Sequence, residues 1–309
     1  MTRRPGDHFA DTITPEELHM PMTRRTLLAS AGAAAALPRT LSAAEDGLPM
    51  SAPVSVGKVG LWARDAERLA DWYADRVGLR RMGGEGNVIA MGNGHDVLLE
   101  ITEDSALNIA PPTQAGLYHT AFLLPSRRDL ARWVLFAMDR QFPVDGVADH
   151  LVSEAIYLTD PEGNGVEIYA DRPASDWVWT GGSVEMASNP IDFENLLATA
   201  GPAPIPWESG PEGTVVGHVH LKVGDASVAG DWWQTQMGFD EVRAREGAVF
   251  LSTGGYHHHI AVNQWQSAGA SIRPEGFTGL AYVELQSRAA PDVVAVRDAW
   301  GTEIRVTSL

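Results

Sequence analysis

The sequence predicts an α+β protein built from an internally repeated unit. The segment from Lys58 to Leu79 recurs as His218 to Phe239 without a gap, and each copy has the pattern of a strand followed by an amphipathic helix. A third segment, Gly116 to Asp171, has strand patterns on both sides of a helical pattern. Because every unit combines strands with a helix, the predicted fold class is α+β.

Length and composition limit what the chain can be. Its 309 residues with 44% apolar content can bury a full core and hold about two domains. The net charge of −17 argues against a nucleic-acid partner, which would need a basic face. Cysteine is absent, which excludes disulfides, thiolate metal sites and a cysteine nucleophile. Any metal ion must therefore be held by His, Asp and Glu side chains.

Residues 1–44 have the pattern of a leader. The pair Arg24-Arg25 comes before a run of small apolar residues, Ala29 to Leu37, which is typical of a signal peptide and too short to span a bilayer as a stable helix. The paired arginines resemble a twin-arginine signal, with cleavage near Ser42 to Ala44. We therefore expect export to the periplasm through the Tat translocase, without a stable membrane anchor. The alternative is a disordered alanine-rich tail on a cytoplasmic protein.

The two copies of the repeat each carry the signals of a capped helix. Asp65 and Asp225 occupy the N-cap position, and Gly78 and Gly238 lie at the C-terminal end, where glycine is favoured. Each helix also has an apolar stripe that is expected to be buried. The stripes consist of Leu69, Trp72, Tyr73 and Val77 in the first helix and of Val228, Trp232 and Trp233 in the second. We interpret these aromatic residues as core, not as cofactor-stacking groups.

The segment Gly116 to Asp171 places two candidate metal ligands on strands that can lie side by side. Its first strand carries His119 and is followed by a helix from Arg127 to Arg140. Its last strand carries Glu167 and follows a turn from Asp160 to Gly165, where proline and glycine favour a tight reversal. A histidine and a carboxylate that face one concavity are two of the three ligands of a common divalent-metal site. A lone strand histidine is, however, more often a satisfied core or surface residue.

Three motifs in this segment resemble those of a known family. They are GLYHTA from Gly116, DHLVSEAIYL from Asp149 and DPEGNGVEIY from Asp160, and the last continues into Asp171-Arg172-Pro173. On these motifs the chain resembles the vicinal-oxygen-chelate superfamily, which includes glyoxalase I, bleomycin-resistance proteins and type I extradiol dioxygenases. It resembles the Bacillus-type catechol 2,3-dioxygenases more closely. The resemblance implies repeated βαβββ modules that pair into half-barrels.

The same resemblance divides the chain after the leader into two domains. Domain 1 spans 53–172 and contains modules one and two. A packed linker spans 173–213 and includes a short helix candidate from Ile191 to Thr199. Domain 2 spans 214–309 and contains module three and a truncated module four, in which little room remains for a helix.

The metal of this superfamily is held by the first and last strands of two paired modules, and these positions differ between the modules of this chain. Module one offers Lys58, a cation. Module four offers Tyr282 and Arg305. None of these three side chains suits an iron site, so the resemblance implies that the ligands come from the other two modules.

His119 and Glu167 of module two and His218 of module three have ligands of the right type. Two imidazoles and one carboxylate form the facial triad of non-haem Fe(II) oxygenases. We therefore expect the active barrel to be built from modules two and three, within one chain or by exchange between subunits. Related two-domain enzymes instead use modules three and four. His220 shares a strand face with His218 and is the reserve ligand.

Three further residues take catalytic positions by resemblance. His258, in a run of three histidines, lies on the strand that supplies the acid–base histidine of extradiol enzymes. Strand alternation then places His257 and His259 on the opposite face. Tyr157 matches a tyrosine that hydrogen-bonds the substrate, and His150 matches a histidine that lies over the substrate ring. The alternative for the three histidines is a solvated face.

The resemblance implies an extradiol ring-cleaving dioxygenase that acts on catechol or a substituted catechol with Fe(II) and O₂, with Mn(II) as the alternative ion. The partners are then a small aromatic diol and O₂, and the protein is expected to be a homo-oligomer. Two other functions stay open. A glyoxalase-like metal-dependent lyase or isomerase would usually have two carboxylates where this chain offers one. A metal-free binding protein would lack the ligand set, whereas this chain keeps one complete set.

Overall fold

The computed structural model describes residues 20–21, 51–202, 206–289 and 294–309. The arginine pair, the apolar run and the expected cleavage site of the leader lie outside these residues. In the part of the chain that is described, no helix is both long enough and apolar enough to cross a membrane.

Four α-helices and one 3₁₀ turn occur among the described residues. The helices are α1 Ala66–Arg76, α2 Arg127–Asp139, α3 Phe193–Ala198 and α4 Ala226–Met237, and the 3₁₀ turn is Ala174–Asp176. α2 confirms the helix predicted in module two. α3 confirms the short helix predicted in the linker, and it is shorter than predicted at both ends.

The strands are numbered in chain order. They are β1 Met20–Pro21, β2 Val54–Ala63, β3 Arg80–Gly83, β4 Val88–Gly92, β5 Val97–Glu103, β6 Gly116–Leu123, β7 Pro143–Val144, β8 Gly146–Asp149, β9 Ser153–Thr159, β10 Gly165–Asp171, β11 Trp179–Thr180, β12 Ser183–Val184, β13 Val215–Lys222, β14 Asp240–Arg245, β15 Ala248–Ser252, β16 Ile260–Asn263, β17 Gly279–Ser287, β18 Val294–Arg297 and β19 Glu303–Ser308. β1 pairs with β7 and β11 with β12, and the other strands form two large sheets.

Both large sheets combine strands from the two halves of the chain. The inner sheet, as we name it, has the order β14-β15-β16-β13-β6-β10-β9-β8 and unites modules two and three. The outer sheet has the order β18-β19-β17-β2-β5-β4-β3 and unites modules one and four. The modules meet along one antiparallel strand pair in each sheet, β6 with β13 and β2 with β17. Neither sheet is confined to one predicted domain, because each module pairs with a module on the other side of the linker.

The predicted α+β class with repeated modules is confirmed. The helices cover one face of the sheets, and one apolar cluster includes buried residues of both sheets and of α1, α2 and α4. β17, β18 and β19 of module four follow one another without a helix among the described residues, which confirms the truncation. On the opposite face of the inner sheet, Trp177, Val184 and Met186 of the linker pack into a second cluster with Phe250 and Tyr256.

The capping predictions are confirmed, with one error in the buried stripe of α4. Asp65 accepts a hydrogen bond from the backbone N–H of Arg68, and Asp225 accepts one from that of Ser227. Val228, predicted to be buried, is 52% exposed. The buried face of α4 is instead formed by Ala226, Ala229, Gly230 and Trp233. Small residues let the helix lie close to the sheet, and Val228 falls on the other side of it.

Candidate metal centre

The first two candidate ligands lie on the parallel strands β6 and β10. In their register His119 lies beside Gly165, and Glu167 lies beside Ala121. The histidine and the carboxylate are therefore diagonal neighbours on one face of the sheet. Glycine is required at position 165, because a Cβ there would lie 2.1 Å from the carbonyl oxygen of Tyr118.

The turn that precedes β10 is held by the buried carboxylate of Asp160. This group accepts hydrogen bonds from the backbone N–H of Glu162 and of Asn164, each at 2.9 Å. It also accepts one from the hydroxyl of Tyr73 on α1, at 3.1 Å. The turn that positions Glu167 is thereby anchored to module one.

The third candidate ligand, His218, reaches the same face through a β-bulge. The pairing of β13 with β6 shifts register between Val216 and His218, which leaves Gly217 as the extra residue. Without the bulge His218 would share the face of Val216, which is packed in the apolar core. A side chain at position 217 has no room, because a Cβ there would lie 1.8 Å from the hydroxyl of Tyr169.

His119, Glu167 and His218 come together within a single chain. The Nε2 atoms of His119 and His218 lie 3.0 Å and 3.2 Å from Oε2 of Glu167. The three side chains are 7%, 2% and 2% exposed in the order His119, Glu167, His218. One ligand atom from each lies within 4.8 Å of the others. Among the residues that the structure describes, no second group of three such side chains is close enough to share an ion.

Burial and mutual contact set the protonation of this cluster. Loss of hydration lowers the pKa of His218 to about 4, an effect that neighbouring Glu167 offsets only in part. Burial alone would raise the pKa of Glu167, but the imidazoles of His218 and His119 hold it well below its ordinary value. At neutral pH the cluster therefore contains a neutral His218 and an ionised Glu167, which are the forms that bind a cation.

The donor set fits a divalent ion of the first transition series. Two imidazoles and one carboxylate on one face suit non-haem Fe(II) and leave coordination positions open. Oε1 of Glu167 is buried and has no hydrogen-bond partner among the described residues, and the buried Nε2 of His119 has only the Glu167 carboxylate beside it. Buried polar atoms are seldom left unpaired, and a bound cation would pair both.

The reserve ligand, His220, lies beside His119 but outside the cluster. The two residues are opposite each other on β13 and β6, and their ring centroids are 5.0 Å apart. Burial lowers the pKa of His220 well below its ordinary value. Its Nε2 is buried without a hydrogen-bond partner in the described part of the chain. A further neutral imidazole thus borders the centre.

His150 and Tyr157 are joined by a hydrogen bond next to the cluster. Tyr157 lies opposite Glu167 in the register of β9 and β10, and its ring centroid is 5.6 Å from that of His119. Nδ1 of His150 lies 2.6 Å from the carbonyl oxygen of Ala187, which can only accept, so Nδ1 carries the proton. Burial lowers the pKa of His150, so the ring is neutral. Its Nε2 therefore accepts a hydrogen bond from the hydroxyl of Tyr157 at 2.7 Å.

The three consecutive histidines do not belong to a strand, contrary to the prediction. β16 begins at Ile260, and His257, His258 and His259 precede it in an irregular segment. All three are buried, so the alternative of a solvated histidine face is wrong as well. The ring of His258 packs on that of His218, with centroids 4.1 Å apart.

Strand alternation therefore fails for His257, which was predicted to face away from His258. The Nδ1 atoms of these two rings lie 2.7 Å apart, and Nε2 of His257 lies 2.9 Å from Oδ1 of Asp171. His259 does point elsewhere, and its Nδ1 lies 3.1 Å from the hydroxyl of Ser252. Sequence reasoning missed Asp171. Its position on the same face of β10 as Glu167 is a period-two signal that could have found it.

The corresponding positions of the outer sheet hold a salt-bridge cluster. Nζ of Lys58 lies 2.8 Å from Oε1 of Glu100 and 3.5 Å from Oε2 of Glu284. Tyr282 donates its hydroxyl to Glu100, and the guanidinium of Arg305 lies 3.6 Å from the centroid of the Tyr282 ring. Burial opposes the charge, yet the two carboxylates raise the pKa of Lys58. The ammonium group of Lys58 thus occupies the position in the outer sheet that corresponds to the candidate ligand His218 in the inner sheet.

Paired βαβββ modules with a buried His, His, Glu cluster define a protein of the vicinal-oxygen-chelate class. The sequence profile of the Glyoxalase/Bleomycin resistance protein/Dioxygenase superfamily matches residues 55–168. Catechol-2,3-dioxygenase of Bacillus subtilis (strain 168) is 37% identical over 251 residues, which cover 78% of this chain and 86% of that relative. The chain belongs to the glyoxalase/bleomycin resistance protein/dioxygenase superfamily.

Two solved structures align with most of this chain. A Bacillus subtilis protein described as a dioxygenase has a TM-score of 0.53 at 12% identity, over 82% of this chain and 84% of that chain. Glyoxalase I of Zea mays has a TM-score of 0.47 at 11% identity, over 82% of this chain and 92% of that chain. The likeness to the Bacillus subtilis protein supports a shared fold.

Proposed function

We propose that the protein is an extradiol ring-cleaving dioxygenase that acts on catechol or a substituted catechol with Fe(II) and O₂. The observation that carries the proposal is the buried cluster of His119, Glu167 and His218, with two imidazoles and one carboxylate within reach of one ion. The relative named catechol-2,3-dioxygenase, at 37% identity over most of the chain, supports the same reaction class.

A bound Fe(II) would supply open coordination positions and the redox chemistry with O₂. His119 and His218 would be its neutral ligands and Glu167 its anionic one. This set leaves one net positive charge at the centre, which favours a singly deprotonated catechol over a neutral diol. Low exposure of the three ligands keeps bulk water from screening that attraction.

Residues of the chain would then accept a proton from the substrate and hydrogen-bond to it. Burial lowers the pKa of His258 well below its ordinary value, so the ring is neutral and can accept the proton that a catechol hydroxyl loses on binding. The hydroxyl of Tyr157 donates to His150, which leaves the Tyr157 oxygen to accept a hydrogen bond from the substrate. Acid–base help of the kind assigned to His258 typically contributes about 10²–10⁴ in rate.

The test measures iron content and ring cleavage on one preparation. Wild-type protein loaded with Fe(II) under anaerobic conditions is expected to convert catechol to a yellow ring-cleavage product once O₂ is admitted. His119→Ala should lose its iron, because two remaining ligands hold a labile divalent ion poorly. His258→Gln should retain iron and bind catechol but turn over about 10²-fold more slowly or worse.

His95→Gln is the matched control, since the side chain of His95 is 71% exposed and lies between β4 and β5 of the outer sheet. It should equal the wild type in both measurements. A wild type that holds iron and leaves catechol unchanged would contradict the proposed reaction and favour another metal-dependent reaction of the superfamily. If His258→Gln loses the metal while His218→Ala keeps it, the roles of these two residues are reversed.

A further inference from the structure

His257 connects an acidic residue to the proposed acid–base histidine. Its Nε2 lies 2.9 Å from Oδ1 of Asp171, and its Nδ1 lies 2.7 Å from Nδ1 of His258. The rings of His257 and His258 are 0% and 5% exposed, so water competes little for these contacts. The three side chains therefore form a continuous hydrogen-bonded chain that ends at the centre, where the ring of His258 packs on that of His218.

With His257 neutral, the chemistry of the partners sets the direction of each hydrogen bond. The carboxylate of Asp171 can only accept, so Nε2 of His257 must carry a proton. In a neutral imidazole the other nitrogen then has a lone pair, and Nδ1 of His257 accepts from Nδ1–H of His258. A neutral His258 with its proton on Nδ1 presents Nε2 as an acceptor.

The surroundings leave the His257 ring little freedom to turn. Its centroid lies 4.1 Å from that of Tyr256 and 5.1 Å from that of Trp177. The hydroxyl of Tyr256 is itself held, since it lies 2.8 Å from that of Tyr169. The ring of His257 is therefore held from more than one side.

We propose that Asp171 is a positioning residue: through His257 it holds His258 in the Nδ1–H tautomer, so that Nε2 of His258 is the proton acceptor of the centre. When a catechol hydroxyl is deprotonated, its O–H bond breaks and an Nε2–H bond forms, which gives a catecholate monoanion and an imidazolium. This last step rests on the proposed function. The tautomer of His258 does not.

The decisive measurement is the tautomer of His258 in metal-free protein labelled with ¹⁵N-histidine. Long-range ¹H–¹⁵N correlations, recorded near pH 8.5 where unperturbed imidazoles are neutral, distinguish an Nδ1–H from an Nε2–H ring. The His258 signals are assigned by their loss in His258→Gln. We expect an Nδ1–H tautomer in the wild type. An Nε2–H tautomer overturns the proposal without any variant having to fold.

Asp171→Asn tests the cause. The amide is nearly isosteric and offers a donor where the carboxylate can only accept, which reverses the hydrogen bonds along the chain and should move the His258 proton to Nε2. In the iron-loaded enzyme kcat for catechol should fall by about 10²–10⁴-fold, with KM and iron content close to those of the wild type. A merely structural role of Asp171 would raise KM or lower iron content instead.

Glu212→Gln is the control, because Glu212 faces His95 at 3.6 Å in a pair whose side chains are exposed. It should change neither the His258 tautomer nor kcat. An Asp171→Asn protein with the wild-type tautomer and kcat overturns the proposal. A wild type that does not cleave catechol overturns the proposed function, while the tautomer measurement still decides the role of Asp171.

Discussion

His218, His220 and His258 share a property that their spacing in the sequence does not reveal. Burial lowers the pKa of each of these imidazoles below its ordinary value. The folded protein therefore binds fewer protons than the unfolded chain as the pH falls through the ordinary range of histidine. By linkage, each of them makes the fold less stable as the pH falls.

His220→Gln should reduce this loss of stability in acid. In the metal-free wild type the unfolded chain takes up a proton at position 220 below about pH 6.5, while the folded chain does not. The free energy of unfolding of the variant should therefore fall less between pH 7.5 and pH 5 than that of the wild type. Urea unfolding at several pH values measures the difference.

Exposed His95 provides the control, and His95→Gln should follow the wild-type pH dependence. A His220→Gln protein whose stability falls as steeply as the wild type, or more steeply, would show that this buried imidazole is already protonated in the fold.

Residue-level prediction succeeded where a motif surrounded the residue and failed where a regular strand was assumed. His119 and Glu167 could be placed on one face because clear strand patterns flank each of them. For His257 the period of two was extended into a segment that is not a strand, since β16 begins only at Ile260. No local sequence pattern indicates where a strand of buried residues begins. That boundary determines which histidine side chains are in contact.

The element that decides the centre is β13, and its bulge changes the face on which its later residues lie. The pairing with β6 places Val216 in the core and His218 at the centre, although the two positions have the same parity. Sequence reasoning found that His218 and His220 share a face. It could not predict the bulge, because the close approach of Tyr169 to Gly217 is a tertiary contact.

Gly217→Ala should disturb the centre through Tyr169. The added Cβ would lie 1.8 Å from the Tyr169 hydroxyl, and that fully buried ring contacts His218 with centroids 4.9 Å apart. Overpacking of this kind costs about 1–3 kcal/mol. We expect a lower free energy of unfolding and a lower iron content per chain.

Gly146→Ala on β8 is the matched control, since a Cβ there meets only Tyr157 at an ordinary 3.8 Å. It should preserve iron content. Iron retention and stability in Gly217→Ala equal to those of Gly146→Ala would mean that the bulge does not determine the position of His218.

At the scale of the whole molecule, the two sheets have the same arrangement of paired modules but different side chains at the corresponding positions. The pairing of module two with module three could be predicted, because only those modules retain suitable ligands. The side-chain contacts of Lys58 in the outer sheet could not be predicted in the same detail. Glu100 and Glu284, which pair with Lys58, belong to no motif and meet only when β2, β5 and β17 assemble.

The difference between the ligand cluster of the inner sheet and the salt bridges of the outer sheet predicts one tightly bound divalent ion per chain. The Lys58 ammonium already pairs with the carboxylates of the outer sheet, so a cation there would meet an internal positive charge. Equilibrium dialysis followed by metal analysis should give one Fe(II) per chain for the wild type and for Lys58→Ala, and none for His119→Ala. Two tightly bound ions per wild-type chain would contradict this assignment.

In the sequence, the strands of the inner sheet lie between those of the outer sheet. This arrangement favours one order of folding. The strands of the inner sheet come from the continuous segment 116–263, whereas β2 must pair with β17 across that entire segment. Closing the longer loop costs more chain entropy. During synthesis, moreover, β17 leaves the ribosome after every strand of the inner sheet. The half of the protein that carries the candidate ligands can therefore form first, and the outer sheet, which joins strands from both ends of the segment 54–308, is completed after it.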